Sequence, residues 1–236
     1  MIISFIKIVV AVVLAMVLAT AVLLLLPFQR NGNIFHAIAR LYSRYVLTVC
    51  GVRVVVEGLG RVDFSRNYIY VANHASLFDI PAVLVGIPAT ISLFYKKELE
   101  RIPIFGWGMK YGKTYIAVDR RGGQDALQSL EEAANKIRQG ASVLLFAEGT
   151  RSENGKLQPF RRGAFSLAVR AGVPIIPVTI NGSFHILQKH SLRMRPGTIR
   201  LVLEEPIQPP ASNGRERELQ LRDEVRKKIE QHYIEQ

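Results

Sequence analysis

Cysteine is almost absent: Cys50 stands alone, which excludes an internal disulfide and any multi-cysteine zinc site. Acidic residues are also scarce, 19 Asp and Glu against 31 Lys and Arg, giving a formal charge of +12. A surface of that sign draws anions (nucleic acid, anionic lipid headgroups, phosphorylated substrates) without choosing among them. No internal repeat and no low-complexity tract interrupts the chain, and 49% apolar residues argue against disorder. At 236 residues there is enough chain to bury a sizeable core.

What the sequence does have is one long hydrophobic run. Within residues 8–26 only Thr20 is polar, and as a helix this run is roughly 28 Å long, close to the hydrocarbon thickness of a bilayer. Ala19-Thr20-Ala21 resembles a signal-cleavage site. Cutting there would leave an apolar new terminus, and no positive charge precedes Lys7, so a retained anchor is expected. Arg30, Arg40 and Arg44 follow the run. That bias places the remainder on the cytoplasmic side of the cytoplasmic (inner) membrane. A second helix is expected from Asn33, a good N-cap, to Gly51, a good stop, with Ile34, Ile38, Leu41, Tyr45 and Val49 on one stripe. It suits either the headgroup layer or packing on the domain.

Beyond Gly51 short apolar runs alternate with helical stretches. Strands are expected at 52–57, 68–72, 114–118, 142–146, 175–180 and 199–203, and helices at 78–86, 126–139 and 164–171. Strands apolar on both faces and separated by helices indicate an α/β domain with a largely parallel central sheet flanked by helices. The break at Pro209-Pro210 and Ser212-Asn213-Gly214 precedes a charged helix, 215–233, whose stripe of Leu221, Val225, Ile229 and Tyr233 docks it. The organisation expected is a membrane-anchoring helical segment, 1–51, and an α/β domain, 52–236.

The chemistry gathers where strands end. The run ending at Ala72 stops at Asn73-His74, and Asp79 follows after four residues. Ligands of open α/β sheets bind outside the carboxyl ends of strands. Across a strand-to-helix corner, Asp79 can return toward the imidazole, fix its tautomer and leave the other ring nitrogen as a base. Ser76-Leu77-Phe78-Asp79 also fits a capping box, in which Asp79 merely reaches back to the Ser76 amide. Both readings stay open. A second strand runs into Glu148-Gly149-Thr150-Arg151, where glycine permits close approach and arginine offers a fork for phosphate. Glu148 would hold that fork or bind a substrate hydroxyl. A third strand ends in Asp119-Arg120-Arg121-Gly122-Gly123 and adds guanidinium groups at the same edge.

Four ordered blocks resemble the signature of the glycerolipid acyltransferases, the 1-acyl-glycerol-3-phosphate acyltransferase family. They are Asn73-His74-Ala75-Ser76-Leu77-Phe78-Asp79, Tyr115-Ile116-Ala117-Val118-Asp119-Arg120, Phe146-Ala147-Glu148-Gly149-Thr150-Arg151-Ser152 and Val173-Pro174-Ile175-Ile176-Pro177-Val178. The similarity extends to Lys97-Glu98-Leu99, to the segment from Ile102 to Gly106, and to Phe160-Arg161-Arg162-Gly163-Ala164-Phe165. It implies acyl transfer from acyl-CoA or acyl-carrier protein to a lysolipid hydroxyl, with lysophosphatidic acid as acceptor and phosphatidic acid as product. A different lysolipid, such as lyso-ornithine lipid, is the alternative. By position, His74 becomes the general base and Asp79 its orienting partner. Arg120, Glu148, Gly149, Thr150 and Arg151 would bind the acceptor and its phosphate, and the block from Val173 to Val178 would shape the acyl site. No metal and no bound cofactor is implied, and nucleic acid is not expected as a partner. Lys96, Lys97, Lys110, Lys113, Arg161 and Arg162 would collect anionic lipid or the donor's charges. Two positions depart from the pattern: Ala147 stands where proline is usual, and Arg162 where lysine is usual.

Overall fold

The computed structural model describes residues 2–25, 33–112, 114–118, 124–210 and 214–235. Arg30, Lys113, residues 119–123 with Arg120, and Ser212-Asn213 lie outside the described residues.

The long apolar run is helix α1, Ile2–Leu25, and begins several residues before the strictly apolar stretch, taking in Ser4 and Lys7. Helix α2 follows at Asn33–Cys50. The domain then alternates β1 (Val52–Glu57), β2 (Ile69–Ala72), α3 (Asp79–Gly86), β3 (Ile91–Lys96), α4 (Phe105–Tyr111), β4 (Ile116–Val118) and α5 (Gln124–Arg138). It continues through β5 (Ser142–Phe146), α6 (Gly163–Ala171), β6 (Ile175–Asn181), the single turn α7 (Ser183–Ile186), β7 (Gly197–Leu203) and α8 (Arg215–His232). Three elements went unread in the sequence, the single turn α7 among them. Strand β3 lies between Pro88 and Lys97, where its charged continuation masks the apolar run. Helix α4 carries Gly106 and Gly108, poor helix formers.

One seven-stranded sheet orders these strands β1-β7-β6-β2-β5-β3-β4. From β6 to β4 all neighbours are parallel, while β7 is antiparallel to β6 and parallel to β1. Central strands have two buried faces, so their sequences are apolar throughout rather than alternating. On β2, Tyr70 and Ala72 enter the core beneath α2 and α3, while Ile69 and Val71 enter the core beneath α5, α6 and α8. Helix α8 buries Leu221, Val225 and Ile229 as expected. Its end is held by Glu204, which takes Arg61 at 2.8 Å, His232 at 2.8 Å and Lys228 at 3.6 Å.

The two N-terminal helices lie on this domain. The hydroxyl of Ser4, near the start of α1, accepts the Met194 amide at 3.2 Å. Near its other end Ala19 faces Gly108 of α4 and Val22 is buried. The outer face stays apolar and uncovered, with Ile2 78%, Ile3 71% and Phe5 62% exposed. Among the described residues α1 is the one helix long and apolar enough to cross a membrane. Helix α2 packs inward through Phe35, Leu47 and Cys50, so its buried face differs from the stripe read in the sequence, in which Leu41 and Tyr45 are exposed. Arg40 does not face outward into a headgroup layer. Its guanidinium donates to Val85 and Ile87 carbonyls at the end of α3, at 3.1 and 3.2 Å, and neutralises the negative end of that helix.

Candidate active site

The register of the sheet builds the site. Ala72, the last residue of β2, pairs with Phe146, the last residue of β5. Asn73-His74 and Ala147-Glu148 therefore leave the sheet side by side at its carboxyl edge. Asn73 closes the other flank: its side-chain amide donates to Ile180 O at 2.8 Å and accepts the Ile180 amide at 2.7 Å, tying the corner to β6.

His74 and Asp79 meet. Nδ1 of the imidazole lies 2.7 Å from Asp79 Oδ2. The same oxygen accepts the amides of Ala75 at 2.8 Å and Ser76 at 2.9 Å. The capping-box reading and the imidazole reading are thus satisfied together by one carboxylate. The intervening backbone curls as a turn, closed by Asp79 N–H to Ser76 O at 3.3 Å, before α3 begins. Asp79 is fully buried, whereas the His74 side chain keeps 14% exposure. A carboxylate on Nδ1 fixes the proton there, so Nε2 is the nitrogen left to accept a proton. The ring stacks on Phe146, centroids 3.8 Å apart and planes 11° apart, which limits its rotation.

His74, Gly149, Thr150 and Arg151 line one cleft of about 290 Å³. Among the described residues no carboxylate pairs with Arg151, so its guanidinium remains available to an anion in that cleft. Gly149 has φ +73, and a Cβ there would stand 2.8 Å from the Arg161 side chain, so glycine meets both a left-handed backbone and a close approach.

Glu148 stands apart from this anion-facing set. It is 3% exposed, its Oε1 accepts the His74 amide at 2.7 Å, and its Oε2 accepts the Gln158 amide at 3.0 Å. Both oxygens are engaged by main chain, so the side chain braces the corner. Burial pushes its pKa up to about 7 against the pull of those two amides. Ser152 adds a further tie, its amide donating to His74 O at 2.8 Å.

A second, apolar cavity of about 270 Å³ opens among α1, α2, α3 and α4, lined by Val22, Ile38, Leu84, Gly108 and Met109. Ile80 and Leu93 line both this cavity and the His74 cleft. The block from Val173 to Val178 contributes to neither: β6 is buried along its whole length inside the sheet. Arg162 pairs with Glu218 of α8 at 3.3 Å, and Ala147 is buried, so neither departure from the family pattern faces the cleft. Among the described residues no three His, Cys, Asp or Glu side chains gather as a metal site.

The acyltransferase family model matches residues 53–181. The chain belongs to the acyltransferase family. Similar proteins include a 1-acyl-sn-glycerol-3-phosphate acyltransferase of Cocos nucifera, 32% identical over 191 residues, which are 78% of this chain and 60% of that one. Another, from Limnanthes douglasii, is 33% identical over 205 residues, 82% of this chain and 70% of that one. Among solved structures, the crystal structure of the 1-acyl-sn-glycerophosphate acyltransferase PlsC from Thermotoga maritima aligns with TM-score 0.82 at 29% identity, covering 98% of this chain and 94% of that one. The chain spans about 60% of the length of relatives such as the Cocos nucifera protein.

Four features of this site were not legible in the sequence: the Asn73 clamp, the Phe146 stack, the Gln158 contact and the shared wall of Ile80 and Leu93. Each depends on which strands become neighbours.

Proposed function

We propose that this chain transfers a fatty acyl group from acyl-CoA or acyl-carrier protein to the free sn-2 hydroxyl of 1-acyl-sn-glycerol-3-phosphate, making phosphatidic acid at the cytoplasmic face of a membrane. The observation that carries this reading is the 2.7 Å contact between His74 Nδ1 and Asp79 Oδ2 at the mouth of a cleft that also holds Arg151. The acceptor hydroxyl attacks the thioester carbonyl as its proton passes to His74 Nε2. Asp79 stabilises the imidazolium so formed. Collapse of the tetrahedral intermediate breaks the carbon–sulfur bond, and the departing thiolate takes the proton back from Nε2. No covalent enzyme intermediate is needed.

Arg151 and Thr150 receive the acceptor's phosphate, and the family pattern adds Arg120, which lies outside the described residues. The apolar cavity beside the cleft accommodates an acyl chain, because its lining is hydrocarbon and it shares Ile80 and Leu93 with the reacting centre. Its position beside α1 supports a membrane-bound acceptor, whose tail enters from the bilayer side. Lyso-ornithine lipid offers Arg151 a single carboxylate beside its own ammonium group, where lysophosphatidic acid offers a phosphate of higher charge, so the phosphorylated acceptor is favoured. The test is an acceptor panel with a single thioester donor. Turnover with lysophosphatidic acid, and little with lyso-ornithine lipid, is the expected result. Activity confined to another lysolipid would overturn the assignment of acceptor, and fatty acid release independent of any acceptor would make the chain a hydrolase.

A further inference from the structure

Between α7 and β7 the chain carries Lys189-His190-Ser191-Leu192-Arg193-Met194-Arg195-Pro196, a basic loop that plays no part in the catalytic cleft. We propose that this loop is a headgroup-contacting rim that binds the anionic phosphates of the bilayer surface beside α1, which rests on the reading of the chain as a membrane-bound enzyme. His190, Arg193 and Arg195 are exposed, and Leu192 at the tip is 67% exposed. Among the described residues neither Arg193 nor Arg195 has a carboxylate partner. An apolar tip followed by two unpaired cations is the pattern that suits a surface where hydrocarbon and phosphate meet.

The loop is fixed to the membrane-facing helix. Between the two arginines, Met194 turns inward, donating its amide to Ser4 of α1 at 3.2 Å, with its sulfur 3.6 Å from Cys50 Sγ. The cations therefore stand beside the first turns of α1, where Ile2, Ile3 and Phe5 are exposed. The loop is also fixed to the catalytic corner. The Leu187 carbonyl at its root accepts the Ser76 hydroxyl at 2.8 Å, and Lys189 pairs with Glu153, two residues past Arg151, at 2.8 Å. A headgroup held by the rim is thereby referenced to the loops that carry His74 and Arg151. An anionic surface is the one occupant that uses both the charge and the apolar tip; an acidic carrier protein would use the charge alone.

The experiment is flotation of the full chain with vesicles of phosphatidylcholine, and with vesicles containing about one third phosphatidylglycerol, comparing wild type with Arg193→Glu/Arg195→Glu. Each basic residue near an anionic surface contributes about 1 kcal/mol, so the double variant is expected to lose anionic-vesicle partitioning by tenfold or more. Binding to neutral vesicles, and turnover of a detergent-dispersed acceptor with acyl-CoA, stay at wild-type values. Raising salt should abolish the difference between wild type and variant. Undiminished partitioning to anionic vesicles overturns the proposal, as does an equal loss on neutral vesicles. Loss of turnover with acyl-carrier protein in detergent, with vesicle binding intact, would reassign the rim to the donor. Wild type failing to float with either vesicle would instead remove the membrane reading beneath it. Leu192→Ala, which leaves every charge in place, is expected to weaken binding to both vesicle types.

Discussion

The main-chain amide of His74 points at Oε1 of Glu148 from 2.7 Å, which makes the proposed base and the anion-binding loop one hydrogen-bonded unit. The carboxyl group titrates near neutrality in the fold, at about 7 against an ordinary value of 4.5. A raised acid pKa means the folded chain holds a proton that the unfolded chain releases between about 4.5 and 7. Its contribution to stability is therefore greatest at the acidic end and declines as pH rises through that window, by about 3 kcal/mol. Glu148→Gln removes the titration. Wild-type stability measured relative to this variant should fall from about pH 4.5 to 7.5 in thermal unfolding; a difference independent of pH would refute the account.

Asp79 serves three donors through one oxygen, so two substitutions separate its roles. Asp79→Asn keeps the shape and removes the charge, and kcat is expected to fall by about 10²–10⁴-fold with a modest loss of stability. Asp79→Ala also strands the amides of Ala75 and Ser76 in a fully buried site, costing on the order of 2–5 kcal/mol. His74→Ala should match the loss of turnover while leaving the thermal midpoint nearly unchanged. Substantial kcat in the His74 variant would end the general-base mechanism.

Gly149→Ala asks an L residue to adopt φ +73 and to displace Arg161. The strain is worth about 1–2 kcal/mol, and relaxing it moves the backbone next to Thr150 and Arg151. A rise in KM for the phosphorylated acceptor, larger than the fall in kcat, is the expected steady-state signature.

Gly108 faces Ala19 with only ordinary van der Waals room, a Cβ meeting it at 3.7 Å. Gly108→Val would place two methyl groups into the apolar cavity that adjoins the cleft. Acyl-CoA competition assays should then show preference shifting toward shorter chains, by roughly 1–3 kcal/mol in the ratio of specificity constants for each methylene excluded. An unchanged profile would take the acyl chain elsewhere.

The parts of the fold that local pattern governs were legible. Residues 52–57 and 142–146 are strands with the bounds expected from their apolar runs. The His74 and Asp79 pair could be proposed from spacing because five residues around a corner bring the two side chains together. Glu148 was harder. Its neighbours in sequence suggest a partner for Arg151, but its actual contacts come from the pairing of β2 with β5, which no local pattern encodes. Helix α2 shows the same limit from another side: its apolar residues cover more than one face, and only the position of α3 decides which face is buried and that Arg40 caps a helix end.

Because α1 lies along the domain with its outward side uncovered, from Ser4 at Met194 to Ala19 at Gly108, the proposed function implies that traffic to the apolar cavity would run sideways through a leaflet. Reaction rate would then follow the mole fraction of lysolipid in the surface rather than its total concentration, and diluting the acceptor with inert lipid at fixed total amount would slow turnover as surely as removing it.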